Sequence, residues 1–361
     1  MKRAPLFLSV AGLLLLLAAL QLILPDRGRS DLENRVLTPA PRFTVADFVS
    51  GAWEEQLEKH AADQLPLREA FVSMHTAVQH LLGRRADGDV IEGGDWLFAR
   101  TDSWSRRCVT LNAAALQSLA EQTGRKALLL AVPSSACLYP EKLPAGAPMG
   151  DEEALLEAAA AETPVLPLLP RLRAARDAEP LYYRTDHHWT RAGAQAGYVT
   201  ACQALGLQPL PEEAEEAYPG FCGSYYARHP LPWLAPDTLS FAFPDNVRLR
   251  IGGEEQPALA DPDALVGRDK YAALLWGNHA VIELTCDAAP EGTLLVLKDS
   301  YANALLPLLA RHYRHVIAVD ARNFAGNIVN FVNEREGDTI LCVYGLYTLA
   351  TGYSIYRLEG L

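Results

Sequence analysis

The sequence predicts an α/β protein built on a mostly parallel sheet covered by helices on both faces. Three observations carry this. Continuous apolar runs of strand length recur at 127–132, 293–297, 316–319 and 339–343. Helical patterns stand between them, and a strand that is apolar throughout is one buried on both faces. The third is supply: half of the 361 residues are apolar, ample for a core and incompatible with a disordered chain.

The elements are justified in chain order. Ala4 to Leu24 is a 21-residue run without a charge, preceded by Lys2 and Arg3. At 1.5 Å per residue it makes a helix of roughly 31 Å, close to the bilayer core. The basic side should stay cytoplasmic, so residues 1–25 are expected to be an uncleaved transmembrane signal anchor, with the rest outside the cytoplasm. A cleaved signal peptide is the competing reading, but the run is long for one and lacks a small-x-small site. Residues 26–85 read as a helical juxtamembrane lead-in, with Pro66 forcing a boundary or kink. A turn at Ala86–Asp89 and the pair Gly93-Gly94 then introduce Trp96-Leu97-Phe98, so the compact domain is set at 86–361.

Within it, 109–123 reads as a helix ended by Gly124, and Ala127–Val132 as a strand stopped by Pro133. Helical sequence follows at 151–160, 171–178 and 191–204, then at 302–312 and 325–334 between the later strands. Residues 205–290, rich in Pro, Gly, Tyr and Trp, break this rhythm and read as a cap or β insertion.

Charge excludes one class of partner. The chain has 32 basic and 44 acidic residues, a net charge of −12, the wrong sign for holding nucleic-acid phosphates. The acidic excess lies wholly after residue 25, which disfavours contact with an anionic lipid surface. The six cysteines show no C-x-x-C pair; they are disulfide candidates in an exported protein or simply small buried residues.

Chemistry in an open parallel sheet collects past the C-terminal ends of strands. Ser300 lies at such a junction, where backbone N–H groups and a helix start can stabilise an oxyanion; a plain helix N-cap is the other use of a serine there. Asp186-His187-His188 offers a base for a serine hydroxyl and a carboxylate to orient it. The rival is a metal site. Asp186, His187 and His188 could bind zinc or iron, but neighbours in one tripeptide seldom reach a single ion, and His229 and His279 stand alone. Gly277-Asn278 is an oxyanion candidate through the Asn amide, or merely a turn.

These residues resemble the DHHW family of bacterial exported proteins, named for the motif standing here as Asp186-His187-His188-Trp189, and are similar to the J and X proteins of alginate O-acetylation. The resemblance includes Trp96-Leu97-Phe98, the Val132-Pro133 to Pro144 loop, Gly277-Asn278, Lys298-Asp299-Ser300-Tyr301-Ala302-Asn303 and Val319-Asp320-Ala321-Arg322. It implies an SGNH-hydrolase-like three-layer α/β/α sandwich with Ser300 as nucleophile, His188 as base and Asp186 as its orienting acid. Asn278, Gly277, Tyr301 and Arg322 become oxyanion or substrate-binding candidates. Lys298 stands where SGNH enzymes usually have glycine. The expected function is O-acetylation, or its reversal, on a cell-surface polysaccharide, with a membrane-bound O-acyltransferase as acetyl-donor partner and no cofactor. A non-catalytic accessory or scaffold subunit of an acetylation complex is the alternative, and a metal-dependent hydrolase a further one.

Overall fold

The computed structural model describes residues 4–352 and 355–356, leaving aside the side chains of Ala4 and Leu6. The chain divides into two compact units, Met1–Arg84 with Tyr226–Leu234, and Arg85–Tyr225 with Ala235–Leu361.

The second unit is built on seven strands: β1 (Lys126–Val132), β2 (Arg248–Ile251), β3 (Glu254–Glu255), β4 (Val281–Thr285), β5 (Thr293–Lys298), β6 (His315–Val319) and β7 (Thr339–Gly345). Their order is β3-β2-β4-β6-β5-β7-β1. β6, β5, β7 and β1 run parallel, whereas β4 pairs antiparallel with both β6 and β2. Successive residues of the parallel strands serve opposite faces. Leu130, Val132, Val296, Ala318 and Val343 pack with helices Leu168–Ala175, Arg191–Ala204 and Leu306–Ala310. Leu129, Ala131, Leu295, Leu297, Cys342 and Tyr344 pack with Arg106–Gln122, Glu152–Ala160 and Leu346–Thr351 on the other face. This is the α/β/α sandwich expected from apolar strands buried on both faces.

Residues 205–290 divide three ways. β2, β3 and β4 extend the sheet, Glu216–Phe221 pairs antiparallel with Asp237–Phe241, and Tyr226–Leu234 belongs to the first unit. All six cysteines are separate thiols, and four are buried.

The first unit holds helices Ala4–Ile23, Val45–Ser50, Ala52–Asp63 and Arg68–Leu81. The break expected at Pro66 lies between the last two, with Leu67 in the left-handed region at φ 60°. Asp63 is buried and accepts from Arg35 (2.9 and 2.5 Å) and from the Thr38 N–H and hydroxyl (both 2.9 Å), which fixes the segment 35–38 to that helix end.

The expected membrane-spanning anchor is not supported. Among the described residues, no helix is long and apolar enough to cross a membrane. The last turns of Ala4–Ile23 are docked within their own unit: Leu17 is buried, and the Gln21 side chain donates to the Ala61 carbonyl at 2.9 Å. Lys2 and Arg3, which were to orient the anchor, lie outside the described residues.

Candidate active site

β5 ends at Lys298, and the chain turns at once into a short 3-10 helix, Ser300–Ala304. Asp299 is the cap of that helix: its Oδ1 accepts from the Tyr301 N–H at 3.0 Å, and its Oδ2 from the Gly345 N–H (2.8 Å) and the Thr348 hydroxyl (2.7 Å). The carboxylate thereby ties the ends of β5 and β7 together. Ser300 is relieved of the capping role that the sequence left open for it. Its hydroxyl instead lies 2.7 Å from His188 Nε2.

The DHHW segment precedes helix Arg191–Ala204, which Thr190 caps by accepting from the Gly193 N–H. Asp237 pins the start of the segment, its Oδ2 accepting from both the N–H (2.8 Å) and the hydroxyl (2.7 Å) of Thr185. Asp186 Oδ1 then accepts from the His188 backbone N–H at 2.8 Å and faces His188 Nδ1 at 2.5 Å, while Oδ2 accepts from the Ser224 N–H at 2.6 Å. With the proton on Nδ1, the other ring nitrogen is left as acceptor for the Ser300 hydroxyl. Asp186, His188 and Ser300 thus form one continuous chain of hydrogen bonds, although they come from points 114 positions apart in the sequence.

The motif tryptophan is structural. Trp189 is fully buried, and its indole N–H donates to the Tyr301 carbonyl at 3.1 Å. Tyr301 answers with its hydroxyl, which donates to the His187 carbonyl at 2.5 Å. Tyr301 was expected to touch substrate; it is only 5% exposed, so its side chain stabilises the histidine segment instead. Arg322 is likewise engaged within the protein, donating to both Asp320 carboxylate oxygens at 2.9 and 2.6 Å. Asn278 is exposed on the turn that precedes β4, and Gly277 beside it has φ 89°, a conformation that suits glycine.

Three further contributors complete the site, and two of them, Tyr271 and Gly223, were invisible to sequence reasoning. Tyr271 stacks on the His188 ring with centroids 3.6 Å apart and planes 7° from parallel, and its hydroxyl donates to the Ser300 carbonyl at 3.3 Å. His187 lies against the other side of that ring at 3.8 Å, with its Nδ1 at 2.6 Å from the Ser224 hydroxyl. The His188 ring is therefore packed against both rings in the orientation that faces Ser300. Gly223 is the third, because a Cβ there would overlap the Asp186 carboxylate. Gly223→Ala should displace Asp186 and lower ester turnover about 100-fold, since misplacing a catalytic group by about 1 Å costs that much; steady-state kinetics on the purified variant checks it.

Electrostatics suit a base resting neutral. Burial, and then the neighbouring His187, push His188 down to about 4, against the pull of Asp186. Burial by itself would raise the Asp186 carboxyl, but the charges and hydrogen bonds of His187 and His188 outweigh it and hold it well below the usual range. Asp186, His187 and His188 do bring ligand-capable atoms within 4.8 Å of one another. Those atoms are already engaged, Asp186 with His188 and Ser224, His188 with Ser300 and His187 with Ser224, so the donor set fits a hydrogen-bonded triad better than a metal shell.

A family model for the SGNH hydrolase-like domain of the acetyltransferase AlgX matches residues 90–220. A model for DHHW proteins matches 168–319, the stretch that contains Asp186, His188 and Ser300. The expected resemblance to the DHHW proteins is borne out. The probable alginate O-acetylase AlgJ of Azotobacter vinelandii is 29% identical over 215 residues, covering 54% of this chain and 53% of that protein. Its namesake in Pseudomonas syringae pv. tomato is 27% identical over 220 residues, covering 56% and 52%. The chain spans about half the length of the curated relatives it matches. Among solved structures, a DHHW family protein from Eubacterium siraeum superposes with a TM-score of 0.63 at 18% identity, over 76% of this chain and 98% of that one. Bacillus cereus PatB1 does so at 0.64 and 17%, over 74% and 99%. These likenesses support the SGNH-like α/β fold.

Proposed function

We propose that this protein is a serine acyltransferase that moves acetyl groups on or off a cell-surface polysaccharide. The observation that carries the reading is the Asp186–His188–Ser300 hydrogen-bond chain, in which the serine has no structural duty. Ser300 Oγ attacks the acetyl carbonyl carbon while its proton passes to His188 Nε2. The tetrahedral adduct collapses, the donor's alkoxide takes that proton, and an acetyl-serine remains. A sugar hydroxyl, or water, then gives its proton to His188 and attacks the acetyl-serine, and Ser300 recovers its proton. Asp186 keeps its charge throughout and stabilises the imidazolium. The alginate O-acetylase relatives support acetyl as the group moved, and by the same likeness a membrane-bound O-acyltransferase is the proposed donor partner. We place this chemistry outside the cytoplasm, a reading supported by the apolar N-terminal helix, whose Phe7, Leu8, Leu14 and Leu15 are exposed.

The test is p-nitrophenyl acetate with and without an oligosaccharide acceptor, followed by mass spectrometry of the peptide containing Ser300. Acetyl on Ser300 is the expected result; an unmodified serine, with product formed no faster than in buffer, overturns the reading. The pH dependence follows from His188. Its neutral form is the base, and its value near 4 lies below the usual histidine range. Turnover on a neutral ester should therefore hold from pH 7 to about 5 and fall on an acid limb near 4, instead of falling near 6.5. A rate profile from pH 3.5 to 8 checks it.

A further inference from the structure

Lys298 is the last residue of β5, fully buried where the strand ends. Its ammonium donates to the Asn303 side-chain carbonyl at 2.7 Å. Asn303, itself buried, turns its NH2 group the other way and donates to the carbonyls of Leu274 (3.2 Å) and Gly277 (3.1 Å). Between those two anchors the backbone is strained. Leu275, Trp276 and Gly277 are consecutive left-handed residues, at φ 53°, 60° and 89°. Side chains with a Cβ avoid that region, and two adjacent ones persist in it only where the surroundings force them.

The surroundings here are identifiable. Leu275 N–H donates to the Leu259 carbonyl at 2.9 Å, the Trp276 indole to the Ala258 carbonyl at 3.0 Å, and Asn303 grips both ends. Asn303 sits in the same 3-10 helix as Ser300, three residues on. The strained turn is thus registered against the nucleophile's own helix, and Asn278 is the first residue it delivers.

We infer that Lys298 and Asn303 are positioning residues that hold the Leu275–Gly277 turn against the Ser300 helix and so fix Asn278 as the oxyanion donor. The inference rests on the acyl-transfer reading above. The two carbonyls accept only from the NH2 face of Asn303, and its oxygen, turned the other way into the buried interior, then needs a donor of its own. Lys298 is that donor. The lysine that departs from the usual glycine of SGNH enzymes thereby has a use: glycine offers no group to orient Asn303.

Two variants test it. Lys298→Met keeps the length and removes the donor. Asn303→Asp keeps a partner for Lys298 but removes both donated bonds. Each should lower kcat for p-nitrophenyl acetate about 100-fold with KM within about twofold, because a transition-state contact is lost and not a ground-state one. Hydrogen exchange at the amides of 274–279 should accelerate in both, while the acid limb set by His188 stays in place. Should Lys298→Met fail to fold, Asn303→Asp carries the test alone. Unchanged exchange and unchanged kcat overturn the inference, as would loss of activity without faster exchange in that segment. If the wild-type protein shows no acetyl-serine, the acyl-transfer reading fails, and the exchange data still report whether Lys298 and Asn303 hold the turn.

Discussion

Ser300→Ala should lower acetyl-ester turnover by about a thousandfold or more while leaving the fold intact. The magnitude follows from removing a nucleophile whose partners cannot replace it; what remains is rate enhancement from binding and the oxyanion site. The intact fold follows from the division of labour at the end of β5. Asp299, not Ser300, caps the 3-10 helix, and Asp299 also receives the Gly345 N–H and the Thr348 hydroxyl. The serine side chain has one contact of consequence, to His188 Nε2. Taking that hydroxyl away leaves a ring still bonded to Asp186 and still stacked on Tyr271. The expected melting temperature is within a few degrees of the parent, since substitutions that break no packing or cap stay within about 0.5 kcal/mol. Kinetics and a thermal melt on the same preparation check both halves. Retained turnover in Ser300→Ala would mean the hydroxyl is not the nucleophile.

The parts of this arrangement that could be read from the sequence are the local ones. The four parallel strands are runs of apolar residues, and burial on both faces leaves a pattern no surface element imitates. Helix Arg191–Ala204 likewise carries its start signal in Thr190. The edge of the sheet was harder. β2 does read as a short β-like piece, since Arg248 and Arg250 alternate with Leu249 and Ile251, but nothing local says that it joins this sheet; β4 places Glu283 between Ile282 and Leu284, is half solvated and looks like many loops. The helix expected at 302–312 is two pieces, Ser300–Ala304 and Leu306–Ala310, because Pro307 cannot donate the bond that would join them. At the site, Asp186, His188 and Ser300 stand out by type and by place. Tyr271 and Gly223 do not, since their roles exist only after strands far apart in sequence have met. Lys298 did leave a signal, a charge closing an apolar strand, but only the buried Asn303 beside it explains that charge.

Asp186→Asn should be nearly as damaging as loss of the serine, and for a reason that the hydrogen bonds make specific. Asp186 accepts three bonds: Oδ1 takes the His188 backbone N–H and faces His188 Nδ1, and Oδ2 takes the Ser224 N–H. An asparagine has one acceptor end. If its oxygen stays toward His188, its NH2 meets the Ser224 N–H, donor against donor, in a fully buried place. If it flips to serve Ser224, its NH2 meets both His188 nitrogens, and the imidazole can avoid the clash only by moving its proton to Nε2. That tautomer offers Ser300 a donor where an acceptor is needed, so the serine proton has nowhere to go. The first arrangement costs stability, about 1–3 kcal/mol for an unmade buried bond; the second costs activity, about four orders of magnitude in kcat. Both should be visible: a lower melting temperature or a much lower kcat, with KM little changed because no substrate contact is lost. Asp186→Asn with parent-like kcat and stability would show that the carboxylate neither orients nor charges the histidine.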